Sequence, residues 1–256
     1  MPNLVKDLDA NIVKEFASQI RGSVILPSDS NYEESRKVYN AMIDKHPGII
    51  VKCVDVADVI YAVNFGRQNH LLVAVRGGGH NGGGLGLCND GLVIDLSCLK
   101  SIRVNTKDNT VRVGGGNLLG EVDHATHPFG LAVPAGIIST TGIGGLTLGG
   151  GVGHLSRKYG LSIDNLLEAD MVLADGTFVT VNDTQNANLF WAIRGGGGNF
   201  GIVTSFKFQA HPVKNVYGGP TLWPIEKAEE IMEWYHDFLN KAPDELNGFI
   251  ATLVIP

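Results

Sequence analysis

Apolar positions along this chain change period several times, from helical spacing to unbroken apolar runs and back, and the changes mark out its elements. Within 4–45, Val13, Phe16, Ala17 and Ile20 fall at helical spacing, with Asp9 and Asn11 placed to cap the start. Pro27-Ser28-Asp29-Ser30 interrupts that pattern, and a second helix is expected over 31–44. A β-α-β unit is expected over 49–75. Its strands are Ile49-Ile50-Val51 and Leu71-Leu72-Val73-Ala74-Val75, apolar throughout as a buried parallel pair requires. Between them, 55–66 reads as a helix capped by Asp55 and ended by Gly66. Gly77 starts where the second strand ends, which is where open α/β sheets place ligands.

Residues 91–133 read as short strands separated by turns. The runs 92–96 and 110–113 flank Lys107-Asp108-Asn109, a hairpin-like turn, and helical spacing returns at 118–122. Further on, the runs 169–173 and 178–181 meet across Asp175-Gly176, a strong hairpin signal. Residues 188–193 then read as a helix. After His211-Pro212 the texture changes, with a helix over 225–240 and a final apolar run, 249–256, that reads as a strand. This last stretch resembles the start of another domain.

At 256 residues, 44% hydrophobic and 18% charged, the chain has the composition of a soluble globular protein of one or two domains. No apolar run reaches the roughly 18 residues of a membrane span. The first residues lack the apolar stretch of a signal peptide, so secretion is not expected. Cys53, Cys88 and Cys98 are odd in number and widely spaced, the pattern of buried free thiols in a reducing compartment, and a cytoplasmic setting is expected. A net charge of −6 without a block of Lys and Arg argues against a nucleic-acid surface.

The glycines change the picture most. Of 34, 28 lie between Arg76 and Gly201, in clusters. The first is Arg76-Gly77-Gly78-Gly79-His80-Asn81-Gly82-Gly83-Gly84. The second spans Pro134-Ala135-Gly136, Thr140-Thr141-Gly142-Ile143-Gly144-Gly145 and Gly149-Gly150-Gly151-Val152-Gly153. The third is Arg194-Gly195-Gly196-Gly197-Gly198-Asn199-Phe200-Gly201. Each glycine inside an element costs about 0.5–1 kcal/mol against alanine, so three clusters imply backbone brought close to something large, flat and phosphorylated. Exposed N–H groups in such loops cradle a pyrophosphate, which lets an acidic protein bind a dianion. Arg76 offers a charge-assisted bond to a phosphate or, equally, an ordinary ion pair.

Other chemistries fit poorly. No G-x-G-x-x-G joins the first strand to a helix, and no G-x-x-x-x-G-K-[ST] loop is present. His124 and His127 are three apart without a partner at zinc spacing, and the G-x-S-x-G elbow is absent. A flavin remains.

The order and spacing of the clusters resemble the flavin-binding domain of the vanillyl-alcohol oxidase and p-cresol methylhydroxylase superfamily, most of all its berberine bridge enzyme-like, FAD-linked oxidases. The likeness covers residues 45–213. It rests on Arg76 to Asn81, on 91–97, on Pro134 to Gly153 with 157–161 and Asp164-Asn165, and on Gly198-Asn199-Phe200-Gly201-Ile202-Val203. The resemblance implies an α+β fold: a two-subdomain FAD-binding domain of the p-cresol methylhydroxylase type, with a small β-α-β subdomain and a larger antiparallel one. An N-terminal helical segment (1–44) would precede it. The start of an antiparallel substrate domain (214–256) would follow, cut short relative to longer relatives.

The resemblance further implies FAD attached covalently through His80. Many relatives attach it a second time through a cysteine, at the position held here by Ile138, so a single bond is expected. Thr141 stands where a residue in relatives helps decide whether oxygen reaches the flavin, and its size is compatible with access. The implied contacts to FAD come from Arg76, Gly77, Gly78, Gly79, His80, Asn81 and Gly84 in the first cluster. In the second they come from Pro134, Ala135, Gly136, Thr140, Thr141, Gly142, Gly144, Gly145, Gly149, Gly150, Gly151 and Gly153, followed by Asp164 and Asn165. Gly198, Gly201, Ile202 and Val203 complete the set. The implied reaction is oxidation of an alcohol, sugar, amine or secondary-metabolite C–H, with O₂ as acceptor and the catalytic base in the C-terminal domain. His154 and Tyr159 read as packing residues. Cys88, close behind the histidine loop, reads as a buried structural thiol. A flavin-binding module without turnover and a nicotinamide-dependent dehydrogenase are the competing readings.

Overall fold

The computed structural model describes residues 2–213 and 215–253. Helix α1 (Ala10–Gln19) begins at Asp9, whose carboxylate accepts from the Asn11 amide at 2.8 Å. Its face carries Phe16, stacked on Phe65 of α3 (Val56–Gln68) with ring centroids 4.0 Å apart. The first sheet is four-stranded, in the order β1 (Ser23–Ile25), β2 (Ile49–Lys52), β4 (Leu92–Asp95), β3 (Val73–Arg76). β4 runs parallel to both β2 and β3, and β1 is antiparallel to β2. Alternation sends Ile49 and Val51 to one face, against α1 and α3, and Ile50 to the other.

The larger unit is an antiparallel sheet in the order β5 (Ile102–Asn105), β6 (Thr110–Gly114), β10 (Ile202–Gln209), β8 (Leu166–Val172), β9 (Phe178–Asn182). Its inner face carries Val111, Val113, Met171, Phe206 and Phe208, buried beneath α4 (Leu119–Thr126), α5 (Ile143–Leu148) and α7 (Ala187–Ile193). Burial of this many aliphatic and aromatic side chains, each contributing about 1.5–3 kcal/mol, is what holds the layers together. Val172 and Ile202 leave this sheet to join the core around α3, so the two units share a seam. A short ribbon of β7 (Leu131–Ala132) and β11 (His211–Pro212) closes one end. Helix α6 (Ser156–Tyr159) follows the second glycine cluster. Helix α8 (Ala228–Leu239) is tied to it by Arg157, whose Nη2 donates to the carbonyls of Leu239 and Ala242, at the helix end where a cation is favoured.

Several expectations need correction. The helix expected over 31–44 is only α2 (Tyr32–Ser35); beyond it the backbone bonds to the first glycine loop, and that tertiary demand overrides helix propensity. The N-terminal segment is also not wholly helical, since β1 belongs to the sheet. The two strands of the β-α-β unit are not neighbours: β4 lies between them, and edge strand β3 leaves Val73 and Val75 partly exposed. The hairpin around 107–109 joins β5 to β6, while 92–95 pairs in the other sheet. Residues 249–253 form no strand, and 254–256 lie outside the described residues. Cys53 and Cys88 are buried free thiols, whereas Cys98 is exposed.

Asp58 holds the entry to the first sheet together. Its carboxylate is buried and accepts the amides of Arg21, Gly22 and Val54 at 2.8–3.0 Å. Asp58→Ala strands these donors and is expected to destabilise the fold by about 2–4 kcal/mol in urea unfolding; a loss below about 1 kcal/mol would mean that water replaces the carboxylate.

Candidate functional site

Strand β3 delivers the first glycine cluster. At its last residue Arg76 turns inward and pairs with Asp95, its register partner on β4, at 2.5 Å. Both side chains are buried, and Arg76 Nη1 also donates to the Lys37 carbonyl. Its charge is therefore paired inside the protein, while its side chain lies against the loop that follows, 3.8 Å from a β-carbon at Gly79.

That loop is built to show its backbone. Among the described residues, the N–H groups from Gly77 through Gly83 donate to no protein acceptor, and Gly79 bends the chain through φ +71°. The first and second clusters then touch backbone to backbone. A β-carbon at Gly78 would lie 2.3 Å from the Gly142 nitrogen, and one at Gly142 would lie 2.4 Å from the Gly78 nitrogen. The third cluster joins through the Gly195 amide, which donates to the Leu148 carbonyl at the end of α5.

His80 sits where the first two clusters meet. Its Nε2 is 3.0 Å from the Thr140 hydroxyl and its Nδ1 3.4 Å from that of Thr141. Tyr39 stacks on one face of the ring at 4.1 Å. Ile138 is half exposed. Cys88 is turned away into the core, where its thiol bonds to the Leu92 carbonyl and burial pushes its pKa up to about 11.

The remaining predicted residues divide by what surrounds them. Gly136, Gly151 and Gly153 are glycine for internal reasons: a β-carbon would meet Leu146, Ser162 and the Ala135 carbonyl at 2.4 Å or less. Pro134 is buried beside them, with Ala135 half-buried. Gly144 packs over the Gly115 carbonyl and Phe206, while Gly149 and Gly150 carry the chain out of α5. Ile202 and Val203 are buried in the two cores, and Gly201 precedes their strand. Asp164 and Asn165 hold their own loop. Asp164 accepts the Leu161 amide, and Asn165 donates to the Tyr159 and Leu161 carbonyls. Asn165 Oδ1 lies 2.6 Å from His211, whose imidazole stacks on Tyr159 and is held below its usual pKa by burial. His154 instead lines an apolar cavity of ≈ 550 Å³ with His124, His127 and Val213.

Among the described residues, and apart from chain neighbours and the backbone of its own helix at Gly145, Gly82, Gly145 and Gly198 have no atom within 4 Å of the point where a β-carbon would stand, and none has a positive φ. Neither crowding nor conformation explains them. Open glycines beside unsatisfied amides fit a phosphorylated cofactor lying against the backbone. Asn81 shapes this surface by accepting the Leu85 amide.

Sequence reasoning missed the strap over this loop, residues 37–45. The Tyr39 amide donates to the Gly79 carbonyl, Asn40 Nδ2 to that of Gly82, and Lys45 Nζ to those of Gly84 and Leu87. Gly84 must be glycine because Ile43 of the strap lies against it, 2.6 Å from a β-carbon. These bonds come from backbone and from residues that read as surface polar, so periodicity carries no trace of them.

An α+β domain of two units, with glycine loops meeting over unsatisfied amides, is the architecture of a domain that holds a large phosphorylated cofactor. The chain belongs to the FAD binding domain family, whose model matches residues 47–182. It is 40% identical to an FAD-linked oxidoreductase of Dictyostelium discoideum over 94% of this chain and 53% of that protein. It is 36% identical to (R)-6-hydroxynicotine oxidase of Paenarthrobacter nicotinovorans, over 89% of this chain and 50% of the oxidase. Among solved structures, the BBE-like 1 protein of Physcomitrella patens superposes with a TM-score of 0.75 at 38% identity, covering 78% of this chain and 44% of that one. The fold is the flavin-binding domain that the glycine order implied, and the chain spans about half the length of the curated relatives it matches.

The open glycines give a direct check on the cradle. Gly145→Leu adds a side chain where the protein has none and is expected to change the stability of the FAD-free protein by less than about 1 kcal/mol. FAD affinity should fall on the order of tenfold or more, read by quenching of flavin fluorescence. Unchanged affinity would place the cofactor elsewhere.

Proposed function

We propose that this chain is the FAD-holding part of an oxidase and that it carries the flavin on a single covalent bond to His80. The observation that supports this best is the place of His80, on the amide-rich loop where the Gly78 and Gly142 backbones meet, with Thr140 and Thr141 against its ring nitrogens. Ile138 cannot form a second bond. When bound, FAD supplies the two-electron chemistry, taking hydride from an alcohol, sugar, amine or secondary-metabolite C–H and passing the electrons to O₂ to give hydrogen peroxide. The chain's own residues bind and orient. Amides from Gly77 to Gly83 balance the pyrophosphate charge, and the open faces at Gly82, Gly145 and Gly198 let the cofactor approach. Thr141 leaves room for oxygen.

Substrate walls and the catalytic base are assigned to a second half, either further along the same polypeptide or in a partner chain. The free thiols support a reducing, cytoplasmic setting. A second reading is an FAD-binding module without turnover.

His80→Ala is expected to bind FAD but to release it into the supernatant on acid precipitation, whereas the unaltered protein keeps its flavin in the pellet. Flavin that stays with the His80→Ala polypeptide would overturn the attachment. Reduced by dithionite and exposed to air, the flavin of the unaltered protein should reoxidise with release of hydrogen peroxide. Slow reoxidation, no faster than that of free reduced flavin, would favour the module.

A further inference from the structure

We infer that Tyr39 is the positioning residue for attachment of the flavin to His80, an inference that rests on the attachment proposed above. Tyr39 is 69% exposed, so core packing does not explain an aromatic residue here. Its ring nonetheless lies parallel to the His80 imidazole, 4.1 Å away with 17° between the planes. Its amide donates to the Gly79 carbonyl at 3.1 Å, which locks the strap to the residue before His80.

A histidine in a glycine-rich loop has no local backbone restraint to fix its plane, since Gly79 lies at φ +71° and Asn81 is exposed. Thr140 and Thr141 restrain the ring edge, and the stack restrains its face. Each ring nitrogen thus faces a threonine hydroxyl, so attachment displaces one of these contacts while the stack keeps the plane of the ring, and with it the direction of the reacting nitrogen, in place. Attachment demands such order: the imidazole nitrogen forms a C–N bond to the flavin methyl carbon, that carbon loses one hydrogen, and the nitrogen loses its own. The two protons and two electrons pass to O₂, giving hydrogen peroxide. A misoriented nucleophile slows such a step sharply.

The stack, rather than the hydroxyl, carries the role. The test is the rate at which FAD, added to flavin-free protein in air, becomes fluorescent on a denaturing gel, for the unaltered chain, Tyr39→Leu, Tyr39→Phe and His80→Ala. Non-covalent FAD affinity and thermal unfolding are followed in parallel. Tyr39→Leu should attach FAD on the order of tenfold more slowly with its affinity and unfolding temperature nearly unchanged, and Tyr39→Phe should restore the rate. Tyr39→Leu at the unaltered rate, or Tyr39→Phe as slow as Tyr39→Leu, would overturn the inference while His80 attachment stands. A slow rate that merely follows lost FAD affinity or lost folding would overturn it as well. An unaltered chain whose FAD never becomes covalent would overturn the attachment itself and this inference with it.

Discussion

The site depends on one close approach, that of the Gly78 and Gly142 backbones. Any side chain at either position would strike the other's amide nitrogen at 2.3–2.4 Å, so the contact exists only because both are glycine. It pins the end of β3, in the mostly parallel sheet, to the start of α5, in the unit built on the antiparallel sheet. The two units are thereby set at one angle, and the loops leaving them are brought to one place. Val172 and Ile202, reaching from one sheet into the other's core, keep that angle from drifting.

Rigidity around the first loop comes from outside it. Six glycines in the nine residues from Arg76 to Gly84 would cost far more chain entropy to order than a normal loop, and the loop has few bonds of its own. The order is supplied by the Arg76–Asp95 pair beneath and by the strap above, whose bonds go to carbonyls at Gly79, Gly82, Gly84 and Leu87. Holding the carbonyls from behind leaves the amides facing outward. The backbone thus presents a positive surface on a chain whose net charge is −6, and needs no lysine or arginine to do so.

How much of the fold is legible in the sequence depends on whether the signal is local. Capped helices such as α1 and α3, and the hairpin across Asp175-Gly176, follow from period and turn chemistry, although α3 runs through Gly66, its expected end, to Gln68. The glycine clusters point to a cofactor because their cost has no local explanation. Pairing at a distance leaves no such mark: β4 inserts between β2 and β3, and 37–45 unwinds to become a strap. Arg76 shows the limit for single residues. Its ion pair follows from its register opposite Asp95, and register is a property of the sheet. Gly136, Gly151 and Gly153 show the same limit, since their clashes lie with Leu146, Ser162 and Ala135.

Whether these surfaces meet around an FAD bonded to His80 alone is tested most directly by the masses of proteolytic peptides from protein purified with its cofactor. The peptide carrying His80 should be heavier by one flavin adduct, and those carrying Ile138 and Cys88 should have their unmodified masses. An unmodified His80 peptide from protein that has bound FAD, or an adduct on Cys88, would contradict this arrangement.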